Sequence, residues 1–240
     1  MEKKSKSRVI VFGASGAIGS SIVSWFAKNN SYVYAVTRYN SDTIDFNENV
    51  KHIKFNSDDQ NLSLCSLINE PINSIVWAQG QNLTDNIYSF DIDNFRKVFD
   101  SNVSFILLTL KHLLDGNKIK NNSRLCVISS IWQKLSKQDK LSYTISKAAI
   151  QGLVNSLSVD LGKDGILVNA VLPGVIATPM TLSNLTDDQI QSITSKTPLK
   201  SLASLENICD IVGFLCSESN QGISGEFITV DKGFSNAKII

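Results

Sequence analysis

The 240-residue chain is expected to form an α/β fold, a Rossmann-type doubly wound parallel sheet of seven strands with helices on both faces. Three observations predict this. Short β-branched runs alternate with longer segments of helical period. A glycine-rich turn joins the first such run to the first helix. No repeat, low-complexity tract or Pro/Gly-rich linker divides the chain, so residues 1–240 read as a single domain.

In order, "RVIVF", "YVYAVT", "HIKF", "SIVWA", "RLCVIS", "LVNAVL" and "EFITV" read as strands. They are near-continuous apolar runs, as expected of parallel strands covered on both faces. Between them the pattern predicts helices near residues 16–29, 62–69, 91–114, 142–162, 187–195 and 204–217. The longest, 91–114, carries too many charges to span a membrane and is expected to pack in the core or against another subunit.

Bulk properties narrow the function. Lys+Arg number 23 and Asp+Glu 22, a net charge of +1, which gives no electrostatic case for nucleic acid or an anionic membrane surface. The basic start "MEKKSKSR" precedes an apolar run of only five residues, far short of a signal peptide core, and a cytoplasmic location is expected. Cys65, Cys126, Cys209 and Cys216 lack zinc-ligand spacing, and His52 and His112 stand far apart, so no metal site or disulfide framework is expected.

Gly13, Gly16 and Gly19 in "VIVFGASGAIGSSIV" follow the first strand and open the first helix. Glycine permits the tight turn and lets backbone approach a pyrophosphate, which the helix N-terminus then stabilises. A purely structural turn is the competing reading. The second strand ends at "VTRYN", where an acidic residue would bond the ribose hydroxyl of NAD and an arginine would suit the extra phosphate of NADP. Thr37 and Arg38 stand there without an acid, favouring NADP over NAD, against the alternative of a merely solvated arginine.

In "LSYTISKAAIQGLVNSLSVDLG", Tyr143 and Lys147 are one helical turn apart on a stripe continued by Ile150, Val154, Leu157 and Leu161. A lysine on an apolar face either snorkels to solvent or has a partner that needs its charge. Asn102 interrupts another apolar stripe, Phe95, Val98, Phe99, Val103 and Ile106, where an amide must find partners, either in a structural hydrogen bond or by holding a water.

Together these motifs resemble the short-chain dehydrogenase/reductase family over nearly the whole chain. "YTISK" matches its Tyr-x-x-x-Lys pair, Ser130 in "VISS" lies thirteen residues before Tyr143, and Asn102 in "DSNVSF" matches its catalytic asparagine. "NAVLPGVIATPM" resembles the Pro-Gly segment and "SGEFITVDKGFS" the closing strand. The resemblance implies hydride transfer between a nicotinamide cofactor and a carbonyl or secondary alcohol, with Tyr143 as acid or base, Ser130 stabilising the substrate oxygen, Lys147 assisting Tyr143, and Asn102 holding a relay water. A cation ~5 Å from the phenol at an effective dielectric of ~20 would lower its pKa by about two units.

The resemblance also implies the cofactor contacts. Ser15, Ala17 and Ile18 accompany the three glycines, while Asn56, or alternatively Asp58, stands near the adenine. Ala78 and Gly80 approach the ribose, Tyr143 and Lys147 hold the nicotinamide ribose, and Pro173, Gly174, Ile176 and Thr178 flank the nicotinamide. Residues of about 177–200 resemble the variable substrate lid. Phe12, where threonine is usual, and "WAQG", Trp77 to Gly80, in place of Asn-Asn-Ala-Gly, depart from the pattern, so the bracing around the cofactor must differ. A 3-oxoacyl-[acyl-carrier-protein] reductase, a sugar or polyol ketoreductase, and a non-catalytic NADP sensor or scaffold remain alternative functions. A homotetramer or homodimer packed through residues 91–114 and 142–162 is implied.

Overall fold

The computed structural model describes residues 6–39, 48–56, 64–178, 181 and 186–237. Its centre is a seven-stranded sheet built from β1 (Arg8–Phe12), β2 (Tyr32–Thr37), β3 (Val50–Lys54), β4 (Ile72–Trp77), β5 (Ile119–Ile128), β6 (Leu167–Pro173) and β7 (Phe227–Val230). The spatial order is β3-β2-β1-β4-β5-β6-β7, with every neighbouring pair parallel. The chain winds outward from β1 to β3, then returns to lay β4 on the other side of β1. That reversal leaves a crevice at the carboxyl ends of β1 and β4, the ligand position of open α/β sheets.

The helices are α1 (Ala17–Lys28), α2 (Leu64–Leu67), α3 (Ile92–Phe99), α4 (Phe105–Asp115), α5 (Leu141–Asp160), α6 (Asp187–Ser195) and α7 (Leu205–Leu215). Ile22, Val23 and Phe26 of α1 share one core with Ile208, Val212 and Leu215 of α7, under Val11, Val33 and Cys126 of the sheet. Ile106, Leu110 and Leu113 of α4 and Ile150, Leu153 and Val154 of α5 fill the other core, against Ile10, Ile75 and Val127. Alternate residues of one strand therefore feed opposite cores, as the pleat requires. No described helix is long and apolar enough to cross a membrane.

Two elements depart from the sequence expectation. The predicted helix 91–114 is divided: a π turn at Asp100–Ser104 separates α3 from α4 and carries Asn102. Such turns insert a wider backbone ring into an otherwise regular helix, and hydrophobic periodicity does not reveal them. β5 begins at Ile119, five residues before the expected start, because Ile119 pairs with Ile72 while Arg124 pairs with Ser74. The polar "KNN" between them is accommodated by this break in register, with Asn122 at φ +60°.

Candidate active site

The glycine turn is built by close contact. Gly13 has φ +73°, and a Cβ there would lie 2.5 Å from the backbone nitrogen of Gln79. A Cβ on Gly19 would lie 2.1 Å from the Gly13 carbonyl oxygen, so the third glycine seats α1 against the turn. Gly16 is the N-cap of α1 and supplies no side-chain cap, which leaves first-turn N–H groups available to an anion.

A cleft of about 320 Å³ opens beside this turn. Of the predicted cofactor residues, Gly13, Ser15, Gly16, Arg38, Asn56, Ala78 and Gly80 line it. Ala17, Ile18 and Gly19 lie in the first turn of α1 instead, and Asp58 falls outside the described residues. Among the described lining residues there is no carboxylate, and exposed Arg38 stands at the end of β2. Val36, Tyr39, Phe55, Gln79, Gln81, Ser101 and Phe105 also line the cleft and were not expected. They arrive from four separate strand and helix ends, a convergence that only the strand order reveals.

The departures at Phe12 and Trp77 are resolved by packing. Their rings stack 5.9 Å apart, Phe105 meets Phe12 edge-on at 5.5 Å, and Trp77 Nε1 donates to Thr109 Oγ1 at 3.0 Å. Both side chains are buried, so an aromatic brace stands where polar residues are usual.

Four further residues meet at the neighbouring strand ends. α5 contributes Tyr143 and Lys147, the end of β5 contributes Ser130, and the π turn contributes Asn102. Lys147 is buried and its Nζ donates to the Ile128 carbonyl at 3.1 Å, 5.6 Å from the centre of the Tyr143 ring. It does not snorkel. Asn102, 1% exposed, accepts from Gln81 N at 2.7 Å and donates to Gln81 O at 3.0 Å and Ser146 Oγ at 2.8 Å. Both amide hydrogens are thus used by the protein, the structural bond that sequence left open, and the amide ties the loop following β4 to α5. Gly80 completes the junction: a Cβ on it would lie 3.0 Å from Asn102 Oδ1 and 3.6 Å from Lys147 Nζ.

The electrostatics differ from expectation. Burial lowers the Lys147 pKa to about 8, because desolvation opposes the ammonium and no described carboxylate offsets it. Burial also raises the Tyr143 pKa, against which the hydrogen bond with Ser130 works. The expected depression of the phenol by Lys147 is not found; the phenol's own burial dominates. The phenol is therefore held protonated, the form a proton donor needs.

The Pro-Gly segment lies at the end of β6, away from the glycine cleft. Pro173 pairs with Val230, and Gly174 N donates to Val230 O at 3.0 Å. A Cβ on Gly174 would come within 2.6 Å of Asp231 Cβ. Ile176 bridges to Ala203, and Thr178 Oγ1 bonds Thr181 Oγ1 at 2.9 Å. Among the described residues no group of three or more His, Cys, Asp and Glu is arranged to hold a metal ion, and the four cysteines are free thiols.

Comparison with known proteins finds relatives along most of the chain. Residues 68–235 match the family model described as Enoyl-(Acyl carrier protein) reductase. The chain is 27% identical over 236 residues to the uncharacterized oxidoreductase YmfI of Bacillus subtilis, covering 94% of this chain and 97% of that protein. It is 28% identical over 235 residues to the 3-oxoacyl-[acyl-carrier-protein] reductase FabG of Rickettsia felis, covering 93% and 95%. A short chain dehydrogenase family protein from Francisella tularensis superimposes with a TM-score of 0.86 at 26% identity, over 97% of this chain and all of that one.

Proposed function

The chain belongs to the short-chain dehydrogenase/reductase family and is an oxidoreductase that uses a nicotinamide cofactor, and we propose that it is an NADP-dependent reductase of a carbonyl substrate, or the reverse dehydrogenase. The observation that carries this reading is the meeting of Ser130, Tyr143, Lys147 and Asn102 beside a glycine-lined cleft.

The residues fit such a cofactor. The turn excludes a Cβ at Gly13, the uncapped start of α1 suits a pyrophosphate, and Arg38 on an acid-free rim suits a ribose phosphate. Ser15, Gly16, Ala17, Ile18 and Gly19 would hold the phosphates, with Asn56, Ala78 and Gly80 along the adenosine. Pro173, Gly174, Ile176 and Thr178 would flank the nicotinamide, which when bound supplies or accepts the hydride.

The remaining chemistry belongs to the protein. Tyr143, kept protonated by burial, gives its proton to the carbonyl oxygen as negative charge grows there. Ser130, bonded to the same phenol, donates to that oxygen and holds it in place. Lys147 supplies positive charge beneath the phenol as the proton departs. Asn102 positions Ser146 and the Gly80–Gln81 segment rather than touching substrate. Residues 177–200 act as the substrate lid, and one domain spans residues 1–240.

A 3-oxoacyl-[acyl-carrier-protein] substrate is the second reading, favoured by near full-length similarity to FabG and by three lysines in "WQKLSKQDK". Exposed Leu107, Leu108 and Val159 on α4 and α5 support a homo-oligomer. The test is oxidation of NADPH and of NADH with a panel of ketones, 3-oxoacyl thioesters and keto-sugars. Turnover preferring NADPH supports the reading, and tight NADPH binding without turnover on any member favours a sensor.

A further inference from the structure

Lys140 is a cation set beside the reacting phenol, and none of the proposed catalytic steps uses it. It immediately precedes α5, one turn before Tyr143, and its Nζ lies 6.0 Å from the centre of the Tyr143 ring. Its backbone is fixed from both sides. Asp85 forms a parallel bridge with Lys140, Asp85 N donates to Asp139 O at 3.3 Å, and Leu141 N donates to Asp85 O at 3.1 Å. The ammonium donates to neutral Asn82 Oδ1 at 2.8 Å, its one hydrogen-bond acceptor among the described residues. That leaves two N–H groups for a ligand acceptor.

The nearby acids are otherwise engaged. Asp85 is buried, and its two carboxylate oxygens accept from the Ser142 backbone N–H, at 3.1 Å, and from the Ser142 hydroxyl. Asp139 Oδ1 accepts from Asn86 Nδ2 at 2.6 Å. Among the described residues neither acid forms a salt bridge with Lys140. Burial and the neighbouring Lys137 together lower the Lys140 pKa, and Asp85 opposes this without cancelling it. Among the described residues the ammonium thus has no carboxylate partner, and a ligand anion would supply one.

We propose that Lys140, steadied by Asn82, recognises the substrate, and that this substrate carries a carboxylate a short carbon chain away from the carbonyl or alcohol that reacts at Tyr143. One ammonium matches one negative charge, and its separation from the phenol limits the length of the intervening chain. This inference rests on the reductase reading and narrows it. Neutral 3-oxoacyl thioesters and sugars do not complete the Lys140 site.

The test compares 2-oxobutyrate, 3-oxobutyrate and 4-oxopentanoate with their methyl esters, as ligands of the protein with NADP+ bound and, separately, as substrates with NADPH. Binding is read by tryptophan fluorescence of the NADP+ complex, which holds no hydride to transfer, and turnover by NADPH oxidation. At least one acid should bind the wild type about tenfold or more tighter than its ester. Lys140→Gln should collapse that ratio towards one, and Lys140→Arg should preserve most of it. Equal binding of every acid and ester pair by the wild type, or an acid preference that survives Lys140→Gln, overturns the proposal. Acid-selective binding without turnover would count against the reductase reading and leave the anion site standing. Turnover of the esters alone would do the reverse.

Discussion

Asn102 Nδ2 donates to Ser146 Oγ at 2.8 Å, and Ser146 Oγ in turn donates to the Tyr143 carbonyl at 2.8 Å. The π turn of one helix is thereby tied to the backbone of the residue that would deliver the proton. Asn102 reaches Gln81 with its remaining bonds, so one amide sets the spacing between the cleft wall and α5.

Replacing Asn102 by alanine should therefore cost stability as well as activity. It strands the Gln81 N–H and C=O, each a loss on the order of 1 kcal/mol, while the Ser146 hydroxyl keeps its bond to the Tyr143 carbonyl. Thermal unfolding should shift down by roughly 4–8 °C, on the basis of about 2 kcal/mol for a chain of this size. An unchanged Tm would mean that the amide is not a strut.

The cleft glycines make a steric prediction. Gly13→Ala would place Cβ within 2.8 Å of three backbone atoms of Ala78 and Gln79, at a φ that side chains rarely adopt. NADPH affinity should fall by at least about tenfold, with a destabilisation of a few kcal/mol. Gly16→Ala meets only the Gly13 carbonyl oxygen at 3.5 Å and should fold normally. Calorimetric titration and thermal unfolding of the two variants check the contrast.

Arg38 on an acid-free rim predicts the cofactor preference. Arg38→Ala should weaken NADPH binding by about tenfold to a hundredfold, the worth of a charge-assisted bond to phosphate, and leave NADH binding within a few-fold. Equal losses for both cofactors would assign Arg38 a role unrelated to the 2′-phosphate.

Lys147 makes a prediction about stability and pH. Its folded pKa of about 8 lies below the ordinary value of 10.5, so between those limits the unfolded chain binds more protons. Its contribution to stability should therefore rise with pH from 8 to 10.5 and be lost as pH falls back through 8, where the buried charge costs its full penalty. Relative to Lys147→Met, the wild type should gain up to about 3 kcal/mol across that window in denaturant unfolding. Parallel curves for the two proteins would contradict the burial of this ammonium.

Much of this site was legible in the sequence. The β-branched runs located all seven strands because central parallel strands are apolar on both faces, and "RVIVF" and "YVYAVT" match β1 and β2 residue for residue. Gly13, Tyr143 and Lys147 stand out by their spacing, and Ser130 only through the family resemblance. What escaped depended on contacts distant in the chain. The π turn hides inside a continuous apolar stripe, and β5 starts early because its polar first residues follow the register of Ile72. The Phe12 and Trp77 brace could be anticipated only as a missing polar network, since stacking needs β1 and β4 to be neighbours. The phenol pKa was misjudged because a Coulomb estimate omits the desolvation that acts on both partners.

The central claim is that Tyr143 delivers the proton at this site. Tyr143→Phe removes the phenolic hydroxyl and keeps the ring that packs between Lys140 and Lys147. For any carbonyl substrate that the wild type reduces, the rate of NADPH oxidation by this variant should fall by about 10²-fold or more while NADPH affinity stays within a few-fold. A variant that keeps most of the wild-type rate would contradict the account.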